Sequence, residues 1–305
     1  MIFVNVMLMK SSSLTLSFTF LGSKSFYLFG CPIKSSFSPI IHQTGFDELK
    51  LPYKYELFET NDPDVVGEKI KETDFGGASV TIPLKSSLWN LMDAVSDAAR
   101  DIGALNTIVK LPNGQFFGEN TDWKGISLLL NEKIQVSNRA ECKVILIGAG
   151  GAARAALYAL KKLGFTNKIL IYNPYNLEQA TALAQQNVIV VQEEKELHED
   201  GIGLIICTVP ASSRFTFDET YSPFRLANRS MVVFDLNYTP FKTELVKQAH
   251  RWNCSVIYGI DLLIAQGLEQ FQLWTGQLNS VKKVIEETAR DKYFYFYRST
   301  SEYSS

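Results

Sequence analysis

From residue 25 onward, apolar and polar positions fall into short runs with two alternating periods. SFYLFG (25–30) is a block of large apolar side chains stopped by glycine, the pattern of a buried strand. Ser38 and Pro39 then predict a helix start, with Ser38 as N-cap and Pro39 in the first helical position. YKYELFE (53–59) alternates as a strand does, and residues 62–72 carry helical spacing. GASVTI (77–82) predicts another strand, stopped by Pro83. Across Pro112-Asn113-Gly114 the segment 105–118 reads as a hairpin.

A second series starts at Lys143. VILIG (144–148) is apolar throughout, as a strand of a parallel sheet is, and residues 150–164 predict a helix closed by Gly164. Strands follow at 168–172, 188–191, 204–207, 231–236 and 255–258, with helices at 177–186 and 241–252. Helices at 261–274 and 280–293 finish the pattern, and the RSTSEYSS tail is expected to fray. This alternation predicts an α/β protein with an N-terminal α/β substrate-binding domain over 25–124. A doubly wound parallel sheet of the nucleotide-binding (Rossmann) type is expected over 125–277, with the closing helix in 278–305 returning to the first domain. Residues 1–24 lack the basic start and small-residue cleavage site of a secretory signal. They read as an N-terminal extension, or as the join to a longer multidomain chain.

Composition narrows the function classes. A chain of 305 residues fits two domains of about 150 residues each. With 46% hydrophobic and 20% charged residues it can bury a substantial core. Thirty basic against 32 acidic side chains leave a net charge of -2, which argues against direct nucleic-acid or membrane-surface partners. Cys31, Cys142, Cys207 and Cys254 form no C-x-x-C pair and sit in or beside apolar runs. They read as buried thiols in a reducing, cytoplasmic compartment. His42, His198 and His250 are widely spaced, so no metal site is expected.

Candidate chemistry begins at Gly148-Ala149-Gly150-Gly151-Ala152-Ala153, which follows a predicted strand and opens a predicted helix. Gly148 permits a tight turn, Gly150 lets backbone approach a diphosphate, and Ala153 allows close helix–strand packing. The exposed N–H groups and helix dipole attract phosphate, and Arg154 is expected to add a cation there. Cofactor choice is read at the end of the next strand, in Tyr172-Asn173-Pro174. Asn173 can bond a ribose hydroxyl but cannot neutralise a phosphate, which leaves NAD and NADP open with a lean to NAD. In the first half, Ser36 and Ser38 flank Phe37, Thr81 and Lys85 bracket a strand end, and Asn106, Asn120, Thr121 and Asp122 stand in polar loops.

PIKSSFSPIIH, GGASVTIPLK, GALNTI, GENTDWKG, GAGGAARA, DLNYTP and GIDLLIAQGLEQFQLWTG occur in that order. Together they resemble the shikimate/quinate dehydrogenase family, most nearly the dehydrogenase region of fungal multidomain shikimate-pathway proteins and their quinate-pathway relatives. The resemblance implies reversible oxidation of a ring hydroxyl of shikimate or quinate with hydride passing to NAD(P), a step toward the aromatic amino acids. It implies Lys85 as catalytic lysine with Asp122 as its partner, and Ser36, Ser38, Thr81, Asn106 and Asp122 around the substrate carboxylate and hydroxyls. Gln266 matches a glutamine reaching the substrate from the cofactor domain, and Tyr238 a tyrosine near nicotinamide and substrate. Thr208 matches a loop lining the cofactor, and Gly259 a point where backbone passes the nicotinamide. Three positions depart from the pattern: Ser35 replaces a frequent histidine, Ser79 a frequent asparagine, and Pro174 the arginine common in NADP users. The altered cofactor loop also admits a second reading, a metabolite-sensing module similar to fungal quinate repressors.

Overall fold

The structure is a computed structural model that describes residues 22–226 and 231–299. Most of the extension expected over 1–24, and the end of the tail expected to fray, lie outside them. The first sheet is built from β1 (Lys24–Gly30), α1 (Ser38–Glu48), β2 (Tyr53–Glu59), α2 (Pro63–Lys69), β3 (Phe75–Val80), β4 (Ala94–Val95), α3 (Asp97–Ile102), β5 (Thr107–Lys110) and β6 (Phe116–Glu119). Its strand order is β2-β1-β3-β5-β6-β4. β1 pairs in parallel with β2 and β3, while β5 runs antiparallel to both β3 and its hairpin partner β6.

α4 (Asp122–Lys133) and the short α5 (Val136–Arg139) lead into β7 (Lys143–Ile147), α6 (Gly151–Lys162), β8 (Ile169–Tyr172), α7 (Leu177–Thr181), β9 (Val188–Val191), β10 (Ile202–Cys207), β11 (Val232–Asp235), α8 (Glu244–Arg251) and β12 (Ser255–Ile257). The second sheet is parallel throughout, in the order β12-β11-β10-β7-β8-β9. Strand order therefore reverses between β7 and β10, where ligands lodge in doubly wound sheets. α6 lies close on this sheet because its buried face is mostly alanine (Ala153, Ala155, Ala156, Ala159).

α9 (Gly259–Thr275) and α10 (Leu278–Ser299) complete the chain. α9 joins the two cores: Leu262 and Ala265 pack with the parallel sheet, while Ile264, Leu268, Phe271 and Trp274 pack with the first sheet. α10 lays Val281, Ile285, Ala289, Tyr293 and Tyr297, four residues apart, into that same core beside α1. No helix among the described residues is long and apolar enough to cross a membrane.

Several local expectations are corrected. Ser38 is not the N-cap of α1; Phe37 holds that place without a side-chain cap, and the Ser38 amide donates to Ser36 Oγ at 3.2 Å. β3 stops at Val80, although the Thr81 amide still donates to the Phe29 carbonyl of β1 at 2.8 Å. The helix expected over 62–72 is confined to Pro63–Lys69, capped by the Asp62 carboxylate on the Asp64 amide. That expected over 241–252 begins only after Thr243, whose hydroxyl accepts the Val246 amide. Cys207 and Cys254 are buried as read, but Cys31 and Cys142 are half-exposed. Burial still pushes the Cys142 and Cys254 thiols up to about 11, so both stay protonated and unreactive at neutral pH.

Candidate active site

Lys85 occupies a single 3-10 turn, Leu84–Ser86, just beyond β3. Fully buried Leu84 anchors that turn, and the Lys85 carbonyl accepts the Leu105 amide at 2.8 Å. Asp122 is the first residue of α4, where the helix dipole favours a carboxylate. Asn120 completes the helix start: its Oδ1 accepts the amides of Asp122 (3.0 Å) and Trp123 (3.4 Å), and its Nδ2 donates to the Ala104 carbonyl. Across this corner Lys85 Nζ donates to Asp122 Oδ2 at 2.6 Å, with the two side chains 17% and 10% exposed. That exposure leaves the pair open to a ligand while screening it from most water.

Asn106 holds the other side of the carboxylate. Its Nδ2 donates to Asp122 Oδ1 at 2.8 Å and to Gln266 Oε1 at 3.2 Å, and its Oδ1 accepts the Thr121 amide at 2.7 Å. Gln266 is carried in on α9, so the network links the two halves of the molecule. Both carboxylate oxygens of Asp122 are thus occupied, which fixes the direction of the lysine ammonium.

The cleft above this floor has a volume of about 210 Å3. All the residues read as substrate-binding line it: Ser36, Ser38, Thr81, Asn106, Asp122, Tyr238 and Gln266, with Lys85 and Gly259 beside them. Ser36 Oγ donates to Ser38 Oγ at 3.1 Å. Burial pushes the Tyr238 phenol above its ordinary range, opposed by the Ser36 hydroxyl. Two further residues, Ser79 and Gln270, belong to the same wall. The Tyr55 hydroxyl donates to Ser79 Oγ, which donates to Gln270 Oε1, both at 2.7 Å, and Gln270 Nε2 donates to Thr107 Oγ1. The sequence holds a signal for both. Gln270 follows Gln266 by one helical turn, and Ser79 precedes Thr81 by the strand period of two.

The glycine turn lies at the C-terminal end of β7. Gly148 has φ +102°, and a Cβ there would fall 2.4 Å from Thr208 Oγ1, so the fold itself demands glycine. Thr208 ties β10 to β7 by donating its hydroxyl to the Ile147 carbonyl at 2.8 Å. Gly150 differs: a Cβ there would meet nothing within 4 Å. Gly151 comes near the catalytic corner, its notional Cβ 3.8 Å from Lys85 Cβ. Ala149 and Ala153 are buried, and Ala152 borders the cleft. Gly259 is required by a close backbone approach, since a Cβ would sit 2.3 Å from the Asn237 carbonyl oxygen. Asn173, buried at the end of β8, accepts the Tyr175 amide.

Arg154 does not stand where a phosphate cation was expected. Its Nε donates to the Ile102 carbonyl at 2.8 Å, and its Nη2 to Ser86 Oγ at 2.7 Å and the Gly103 carbonyl at 3.1 Å. The fourth residue of α6 faces the end of α3, so this arginine ties the glycine-turn helix to the first half of the chain.

Two family descriptions match the sequence: "Shikimate dehydrogenase substrate binding domain" over residues 28–108 and "Shikimate 5'-dehydrogenase C-terminal domain" over 259–288. A pentafunctional AROM polypeptide of Schizosaccharomyces japonicus is 37% identical over 274 residues, covering 84% of this chain but 17% of that polypeptide. The chain thus spans about a sixth of the length of such curated relatives. The crystal structure of shikimate dehydrogenase from Aquifex aeolicus is similar with a TM-score of 0.77 and 31% identity, over 88% of this chain and 98% of that one. Shikimate 5-dehydrogenase from Thermus thermophilus, solved in complex with NADP(H) and shikimate, gives a TM-score of 0.74 and 30% identity over 88% and 99% of the two chains. With near-complete coverage of these bacterial chains and with the Lys85–Asp122 corner between its two sheets, this chain belongs to the shikimate dehydrogenase family.

Proposed function

We propose that the chain is a nicotinamide-dependent dehydrogenase that reversibly oxidises a ring hydroxyl of shikimate or quinate. The observation that carries this reading is the contact of Lys85 Nζ with Asp122 Oδ2 at 2.6 Å in a cleft lined from both halves of the chain. A carbinol that loses hydride becomes a carbonyl only if its hydroxyl proton also leaves. Lys85 stands at the cleft wall to exchange that proton, and a positioned general acid–base contributes roughly 10²–10⁴-fold. Asp122 holds the amine in place and offers its carboxylate to a neighbouring substrate hydroxyl.

The rest of the lining suits a small polyhydroxylated acid. Ser36, Ser38, Thr81 and Tyr238 offer hydroxyl donors to a carboxylate, and Asp122 is the one acidic side chain among the lining residues. Asn106 and Gln266 add amides that bond ring hydroxyls in either sense. The cofactor reading rests on Gly150, where nothing in the fold requires glycine, while a diphosphate pressed against the α6 amides does. The nicotinamide, when bound, accepts or returns the hydride. Gly148 to Ala153 would cradle the diphosphate, Asn173 would face a ribose, and Thr208 and Gly259 would border the path between.

Reduction of NAD+ and of NADP+ by shikimate and by quinate tests the proposal, and turnover is expected in at least one of these pairings. Absence of turnover in all of them, with shikimate or quinate still bound in a calorimeter, would assign the cleft to metabolite sensing instead.

A further inference from the structure

The corner that reads the adenosine ribose is completed by a loop distant in sequence. After β10 the chain passes Pro210, makes one 3-10 turn over Ala211–Ser213, and reaches Arg214 with φ +50°. Asn237 pins the start of this loop: its Oδ1 accepts the Ala211 amide at 3.0 Å, and its Nδ2 donates to the Val209 carbonyl at 2.9 Å. The two neighbours of Arg214 touch the residues around Asn173-Pro174. The Phe215 ring packs edge-on against Tyr172 with centroids 6.2 Å apart, and the Tyr175 hydroxyl reaches the Ser213 carbonyl at 3.5 Å. These contacts tie the chain on both sides of Arg214 to Tyr172 and Tyr175, the residues that flank Asn173 and Pro174. The Arg214 backbone amide donates to the Ala211 carbonyl at 3.0 Å, while its side chain is exposed and makes no hydrogen bond or ion pair among the described residues. The Glu194 carboxylate, which acts on Tyr172, already accepts the Asp218 amide. A non-glycine residue in the left-handed region is strained, and here that conformation carries an uncommitted guanidinium.

We infer that Arg214 receives the 2′-phosphate of NADP, supplying from the β10 loop the cation that Pro174 removes from the end of β8. This rests on the dinucleotide reading of the glycine turn given above. It reverses the lean to NAD drawn from the Asn173-Pro174 sequence alone. A planar guanidinium suits a terminal phosphate because it offers paired donors as well as charge.

Calorimetric titration with NADP+ and with NAD+, without a second substrate, tests the assignment on the full chain. The unaltered protein should bind NADP+ about tenfold or more tightly than NAD+, the discrimination a charge-assisted phosphate contact provides. Arg214→Gln and Arg214→Gly should both lose that preference while keeping NAD+ affinity, with a thermal unfolding midpoint no lower than that of the unaltered protein. Glycine is at ease at this φ, so a loss shared by both variants is not a folding defect. Equal affinities in the unaltered protein, or a preference kept in the variants, would overturn the role of Arg214 and leave the dinucleotide site standing. Binding of neither nucleotide would overturn the dinucleotide reading itself, and Arg214 with it.

Discussion

The two ends of the cleft are built in opposite ways. Around Lys85 the polar groups are already committed to one another: Asn106, Thr121, Asp122 and Gln266 form a closed network. Around the glycine turn and the end of β8, the fold leaves room: among the described residues, exposed Gly150 has no neighbour within 4 Å of its Cβ position and the Arg214 side chain has no partner. The difference follows from the two tasks. Proton exchange needs an amine fixed in direction before substrate arrives, so its support is internal. Holding a dinucleotide needs backbone N–H groups and a cation left free for the ligand, so its support is withheld from the protein.

Two glycines sharpen that contrast. Gly148→Ala places a methyl group against Thr208 at a φ of +102°, so thermal unfolding should show a loss of about 1–3 kcal/mol. Gly150→Ala meets no atom of the described residues within 4 Å. Its unfolding midpoint should stay put while calorimetric affinity for NAD+ and NADP+ falls about tenfold or more. Undiminished nucleotide binding by the Gly150 variant would break the comparison.

A pH-dependent effect lies beneath the floor. His42 is buried between Tyr55 and Trp274, with ring centroids 4.5 and 4.8 Å away, and its nitrogens make no hydrogen bond of normal geometry among the described residues. Burial pushes this imidazole from 6.5 down to about 3, against a weaker opposing pull from the Gln270 amide. A histidine depressed on folding stabilises fully above its unfolded value. That stability is lost as pH falls from about 6.5 toward 3, at up to about 1.4 kcal/mol per pH unit. His42→Phe should flatten this acid limb in denaturant titrations at stepped pH. An unchanged limb would mean that other groups govern acid unfolding.

The parallel sheet was the most legible part of the sequence, because strands buried on both faces read as unbroken apolar runs such as VILI in β7 and ILIY in β8. α4 was not legible. Its opening, GENTDWKG, reads as a polar loop, and its start depends on Asn120 reaching the Asp122 and Trp123 amides. The residues read as substrate-binding meet in one cleft because the motifs carrying them lie at strand ends and helix starts. Arg154 was misread because adjacency to the glycine turn says nothing about which way the helix faces. Arg214 was invisible for the converse reason: only the packing of Phe215 on Tyr172 brings it to the β8 corner.

The central claim is that the Lys85 amine, steered by Asp122, exchanges the proton of the reacting hydroxyl. Its most direct test is Lys85→Ala, with ring-acid affinity measured by calorimetry alongside the turnover number. The account predicts kcat lower by about 10²-fold or more, with binding of shikimate or quinate largely kept. Unchanged kcat, or a loss confined to ligand affinity, would contradict it.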